Sequence, residues 1–159
     1  DDYKIILEPF ERDTIKLFHC GNFGDSLASP TLDSCIDYSI NKGVKELKMA
    51  VNGSARTPAW WRDLAQKSDR IVVNFSIDGL EDTNHLYRIN SKWDKIMENA
   101  KAFIDAGGNA RWDYLIFDHN QHQVEEAEKL AREIGFESFY VKNTSRFIND
   151  KNYFICNML

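Results

Sequence analysis

Apolar positions along the chain follow two periods in turn. Short runs rich in β-branched and aromatic residues alternate with longer stretches whose apolar positions recur at helical spacing, and that alternation predicts a parallel sheet with crossover helices. Residues 15–19 read as a first strand closed by Gly21. Residues 44–51 read as a second, closed by Asn52-Gly53. Residues 71–77 are nearly continuous in apolar character, as a strand covered on both faces is, and end at Asp78-Gly79. Residues 110–117 and 136–141 complete the set of five.

The intervening helices carry start and stop signals. Leu32, Cys35, Ile36 and Ser39 form a stripe after Ser29-Pro30-Thr31, with Cys35 expected as a buried thiol and Gly43 as the stop. Thr57-Pro58 is a cap followed by proline at the first helical position, with Trp61, Leu64 and Ala65 behind it. The longest pattern runs over residues 91–106 and stops at Gly107-Gly108. A last one carries Val124, Ala127, Leu130, Ala131 and Ile134 before Gly135. No repeat or low-complexity linker divides the chain, so residues 1–159 are expected to be one α/β domain.

Composition narrows the class. With 159 residues, 43% hydrophobic and 28% charged, the chain is long enough for a core without disulfides. A net charge of −5 gives no global attraction for nucleic acid or anionic lipid. No apolar run reaches the roughly 20 residues of a membrane span. Three widely spaced cysteines, Cys20, Cys35 and Cys156, are an odd number and argue for a reducing, cytoplasmic compartment. Asp1 is not a methionine and residues 154–159 are apolar, which reads as a chain cut from something longer.

Ligands of parallel α/β sheets sit outside the carboxyl ends of the strands. The loops to inspect are therefore residues 20–25, 52–54, 76–79, 118–120 and 143–146, which hold Gly, Asn, Asp, Ser, His and Arg. Turn chemistry alone accounts for part of that content. The chain has no G-x-x-x-x-G-K-[ST], G-x-G-x-x-G, C-x-x-C or G-x-S-x-G. His119 and His122 have no third ligand at metal spacing, so no metal site is expected there.

Cys20-Gly21-Asn22-Phe23-Gly24-Asp25, then Asn52-Gly53, then the stretch of residues 75–88, FSIDGLEDTNHLYR, together resemble a radical S-adenosylmethionine (radical SAM) domain. The last stretch resembles the S-[IL]-D-G…H…R segment of the sulfatase-maturating and peptide-modifying subfamily. The resemblance covers residues 15–147 and implies the second to sixth βα units of a partial (β/α) TIM-barrel-like sheet. It further implies that Gly21, Asn22, Gly24 and Asp25 meet the methionine ammonium of SAM, that Ser76 and Asp78 contact the ribose, and that Arg88 pairs with the methionine carboxylate. Asn52 and His119 are implied at the pocket wall and near the adenine. Read without the resemblance, Arg88 is a surface arginine paired with Glu81 or Asp82.

The family's defining C-x-x-x-C-x-x-C, whose thiolates hold a [4Fe-4S] cluster, does not occur. The expected function is thus a fragment or shortened relative of a radical SAM enzyme that keeps SAM-binding loops and is inactive alone, its small-molecule or peptide substrate unknown. Two alternatives stand beside it. One is a non-enzymatic α/β ligand-binding or interaction module. The other is an acid-base enzyme using Asp25, Asp78 and His119. The first strand of a partial barrel is also an open edge, which gives homo-oligomer formation as an expectation.

Overall fold

The structure, a computed structural model, describes residues 2–21 and 24–143. Five strands form one open parallel sheet in the order β1 (Lys16–Cys20), β2 (Glu46–Val51), β3 (Ile71–Ser76), β4 (Asn109–Leu115) and β5 (Ser138–Lys142). Between them run α2 (Leu32–Lys42), α3 (Pro58–Lys67), α4 (Asn84–Tyr87), α5 (Trp93–Asp105) and α6 (Val124–Ile134). A short α1 (Asp2–Leu7) precedes the sheet. This is the partial TIM-barrel-like α/β fold.

Spatial order equal to chain order has a consequence. Parallel crossovers are right-handed, so successive connections to the next neighbour all deposit their helices on the same side of the sheet. Leu47, Met49, Val51, Val73, Phe75, Ala110 and Trp112 enter one buried cluster with Ile36, Trp61, Leu64, Ile96, Ala100, Phe103, Ala127 and Ala131 from the helices. The register places Leu47 opposite Ile71, Val73 opposite Ala110, and Trp112 opposite Phe139, so these side chains share one face. Aromatic rings fill its centre: Trp61 lies 5.2 Å from Phe75, and Trp112 lies 5.3 Å from Phe136. The alternate positions, Lys16, Phe18, Lys48, Asn74, Ser76 and Asp113, belong to the other face, which in a closed barrel is the interior.

The sequence signals work as chemistry at the helix ends. The Thr57 hydroxyl accepts the Trp60 N–H at the start of α3, and Gly43 and Gly135 close α2 and α6 in the left-handed conformation. Two short helices, α1 and α4, have no periodic pattern long enough to announce them. One expectation is corrected: Cys35 is only partly buried, because the core side of α2 is Leu32, Ile36 and Ser39, and Cys35 lies at its margin. β1 is an edge strand, as an incomplete barrel requires. Among the described residues no helix is long and apolar enough to cross a membrane.

Candidate functional site

At the carboxyl ends of the strands lies a cavity of about 490 Å³. Each strand end or following segment contributes to its wall: Gly21, Gly24 and Asp25 after β1, Asn52 after β2, Ser76 in β3, Arg88 after α4, Asp113 in β4 and Lys142 in β5. Gly21 is required by the loop's own closure, since a Cβ there would stand 1.8 Å from the Gly24 carbonyl oxygen. At Gly24 a Cβ would meet nothing within 4 Å, so this part of the wall is bare backbone.

Asp25 ties two of these loops together. One carboxylate oxygen accepts the Leu27 N–H at 2.9 Å, capping the 3-10 turn at Ser26–Ala28, and the other accepts the Asn52 N–H at 2.9 Å. Each oxygen keeps acceptor capacity beyond its backbone partner. Asn52 turns its side chain to its own loop, where Oδ1 accepts from the Ser54 N–H and hydroxyl at 2.9 and 2.7 Å. With its backbone N–H held by Asp25, Asn52 offers the cavity its side-chain amide hydrogens.

Arg88 lines the cavity with its side chain 27% exposed, and its Nε donates to Asp78 Oδ2 at 2.5 Å. Neither Glu81 nor Asp82 takes that place; Asp82 instead accepts from Gln123 Nε2 at 2.7 Å. Asp78 is fully buried and does not line the cavity. Burial pushes its carboxyl up from the ordinary carboxylate value, opposed by the Arg88 guanidinium and the Leu115 N–H. A hydrogen-bonded polar knot fixes this corner: Asn120 Nδ2 donates to the carbonyls of Asp78 and Leu115, both at 2.9 Å, and its Oδ1 accepts the Phe117 N–H at 2.7 Å. Gly79 completes it, because a Cβ there would stand 2.2 Å from the Thr83 hydroxyl and 2.8 Å from the Asn84 nitrogen, at φ +142°.

The nine residues selected from the sequence thus divide. Gly21, Gly24, Asp25, Asn52, Ser76 and Arg88 surround the cavity. Asn22 lies outside the described residues. Asp78 sits behind Arg88, and His119 is also set back from the wall: its ring stacks on Phe117 at 5.3 Å, and burial lowers its pKa below the ordinary histidine value. The acid-base constellation of Asp25, Asp78 and His119 is therefore not assembled around the cavity.

Sequence reading passed over Asp113 and Lys142, which face each other on the cavity floor at 2.6 Å, with Asn74 Nδ2 donating to the same Asp113 oxygen at 3.0 Å. The available signal was Asn74 inside the apolar run of β3, in phase with Ser76 two residues on. Cys20 is exposed at the rim and Cys35 lies in α2, both free. Among the described residues no three His, Cys, Asp or Glu side chains stand together as a metal site.

Comparison with solved structures places this sheet and its helices. Streptococcus suis SuiB superposes with a TM-score of 0.70 over 83% of this chain, at 15% identity. The anSMEcpe structure with bound AdoMet gives 0.66 over 87% at 14% identity, and archaeal TYW1 gives 0.56 over 76% at 14%. The chain shares the fold of these radical SAM enzymes over the matched part. The radical SAM likeness is partial, since the chain spans 31% of the SuiB chain and 40% of the other two. SuiB also has solved structures bound to S-adenosylmethionine and to its precursor peptide SuiA. No protein-family profile and no curated protein matches the chain.

Proposed function

We propose that this chain binds S-adenosylmethionine in the cavity at the carboxyl ends of β1 to β5, as part or as a shortened relative of a radical SAM enzyme. The observation that carries this reading is the convergence of Gly21, Gly24, Asp25, Asn52, Ser76 and Arg88, chosen from loops far apart in sequence, on one cavity. The groups suit the ligand. Arg88 offers an always-charged donor for the methionine carboxylate. Asp25 has acceptor capacity for the ammonium beside bare glycine backbone, and the Ser76 hydroxyl is matched to a ribose hydroxyl. SAM supplies a sulfonium, an electrophilic centre whose carbon–sulfur bonds can be broken.

A [4Fe-4S] cluster does not fit the described residues. Cys20 is a single cysteine at the rim and Cys35 is on α2, whereas a cubane needs three or four thiolates on one side of it. No reductive step is assigned to these residues. The same donor set favours, as the second reading, a non-enzymatic module that binds its ligand in this cavity.

Calorimetric titration of the chain with SAM tests the proposal. Saturable binding is expected, weakened about tenfold in Arg88→Lys, which keeps a cation beside Asp78 but loses the bidentate fork. Absence of saturable heat up to millimolar SAM with the unaltered chain would overturn the reading and leave the module with a different ligand.

A further inference from the structure

Asp78 belongs to the S-I-D-G segment, yet every polar group it owns is occupied away from the cavity. Its carboxylate takes Arg88 Nε at 2.5 Å on one oxygen and the Leu115 N–H at 2.7 Å on the other. Its amide donates to Asn84 Oδ1 at 2.9 Å, and its carbonyl receives Asn120 Nδ2 at 2.9 Å. A carboxylate buried to 0% exposure is tolerated only with a charge partner. Arg88 is that partner, and it is also a wall residue of the cavity.

A guanidinium is a rigid fork with donors on Nε and on both Nη nitrogens. Holding Nε from behind fixes the plane of the fork and leaves the Nη pair for an incoming anion. The Tyr87 ring, 5.1 Å from the guanidinium carbon, bounds the same group. Because Asp78 is anchored through Leu115 to β4 and through Asn84 to α4, the arginine's placement is set by the sheet rather than by the ligand.

We infer that Asp78 is a positioning residue: it holds Arg88 ready before ligand arrives and thereby gives the cavity its preference for a ligand bearing a carboxylate. This rests on the reading of the cavity as a SAM site and assigns Asp78 a task other than ribose contact. Preorganisation of this kind raises affinity by removing the ordering cost from the binding step.

The test compares SAM with decarboxylated SAM, which keeps adenosine, sulfonium and ammonium and lacks only the carboxylate. Calorimetry on the unaltered chain should show SAM bound about tenfold or more tightly than the decarboxylated analogue. Asp78→Asn, which keeps an acceptor for Leu115, should lose about tenfold for SAM, leave the analogue unchanged and so abolish the preference. Equal weakening of both ligands, or of neither, would overturn the inference while leaving SAM binding intact. Failure of the unaltered chain to bind either ligand would remove the SAM reading and this one together. Should Asp78→Asn not fold, the Arg88 Nε–H resonance of the ligand-free chain, assigned by its loss in Arg88→Lys, decides. Slow exchange with solvent relative to the exposed Arg62 is expected, and exchange as fast as Arg62 overturns the inference.

Discussion

The two faces of the sheet are built from the same strands and behave as different materials. On the helical face Leu47, Val73, Phe75 and Trp112 are at 0% exposure, and all belong to one apolar cluster. One residue further along each strand stand Lys48, Asn74, Ser76 and Asp113, none of them apolar. The alternation is the ordinary consequence of strand geometry. Its lesson is a division of labour: burial on one side holds the strands in register, and that frees the other side to present polar groups toward the cavity.

Adjacent residues of β2 test that division with the largest expected contrast. Leu47→Ala removes a fully buried side chain and should lower unfolding free energy by about 2–5 kcal/mol, as core leucine truncations do. Lys48→Ala, its neighbour on the open face, should stay within about 0.5 kcal/mol. Urea unfolding of the two variants checks both, and comparable losses would break the comparison.

Asp113 sharpens it from the other side, because it is the polar group of the open face with the most partners. Asp113→Ala should cost about 1–3 kcal/mol by stranding Asn74 Nδ2 and the Lys142 ammonium, an intermediate loss arising from unsatisfied polarity rather than from a lost apolar contact. Asp113→Asn, which retains an acceptor, should recover part of the loss in the same urea series. A null effect of Asp113→Ala would mean that water replaces these partners at no cost.

The smallest effect concerns β1, whose residues on the helical face, Leu17 and His19, are only partly buried. His19 points there to α1: its Nε2 lies 2.9 Å from the Tyr3 hydroxyl, which lies 2.5 Å from Ser39 Oγ. Burial lowers the His19 pKa, so the unfolded chain binds a proton that the folded chain resists. Stability is therefore present above the ordinary histidine value of about 6.5 and is lost as pH falls below it. His119 carries a shift of the same sign, so the measurement is the difference in thermal midpoint between the unaltered chain and His19→Gln. That difference should shrink from pH 7.5 to about pH 5.5, and a flat difference would remove His19 from the acid sensitivity.

Much of the fold was legible because its signals are local. The runs at residues 44–51 and 71–77, the Thr57-Pro58 cap and the stops at Gly43 and Gly135 each need only neighbouring residues to act, and the elements they announce are present with ends shifted by a few residues. Helix α4 has four residues and α1 has six, too few to show a period. Cys35 fits the helical stripe of α2 by spacing, but spacing does not say how wide the buried stripe is, and the packing of α2 on the sheet leaves it at the margin.

Residue types and strand ends, set by the sequence alone, determined that glycine, Asp25, Asn52 and Ser76 would stand at the carboxyl edge of a parallel sheet, whereas Arg88 was implied only by the resemblance of residues 75–88. Tertiary structure decided what each could do there. Asp25 and Asp78 are both carboxylates at strand ends, yet one borders the cavity while stapling two loops and the other is closed off behind Arg88. The physical reason is that depth in the fold, and the long-range partners it brings, fixes whether a charge meets a ligand or a neighbour. Arg88 and Asp78 are ten residues apart in sequence, and Asp78 and Leu115 thirty-seven. The segment of residues 75–88 holds Asp78 and Arg88 in one stretch, but neither it nor any periodicity says that the two pair with each other or that Asp78 reaches Leu115.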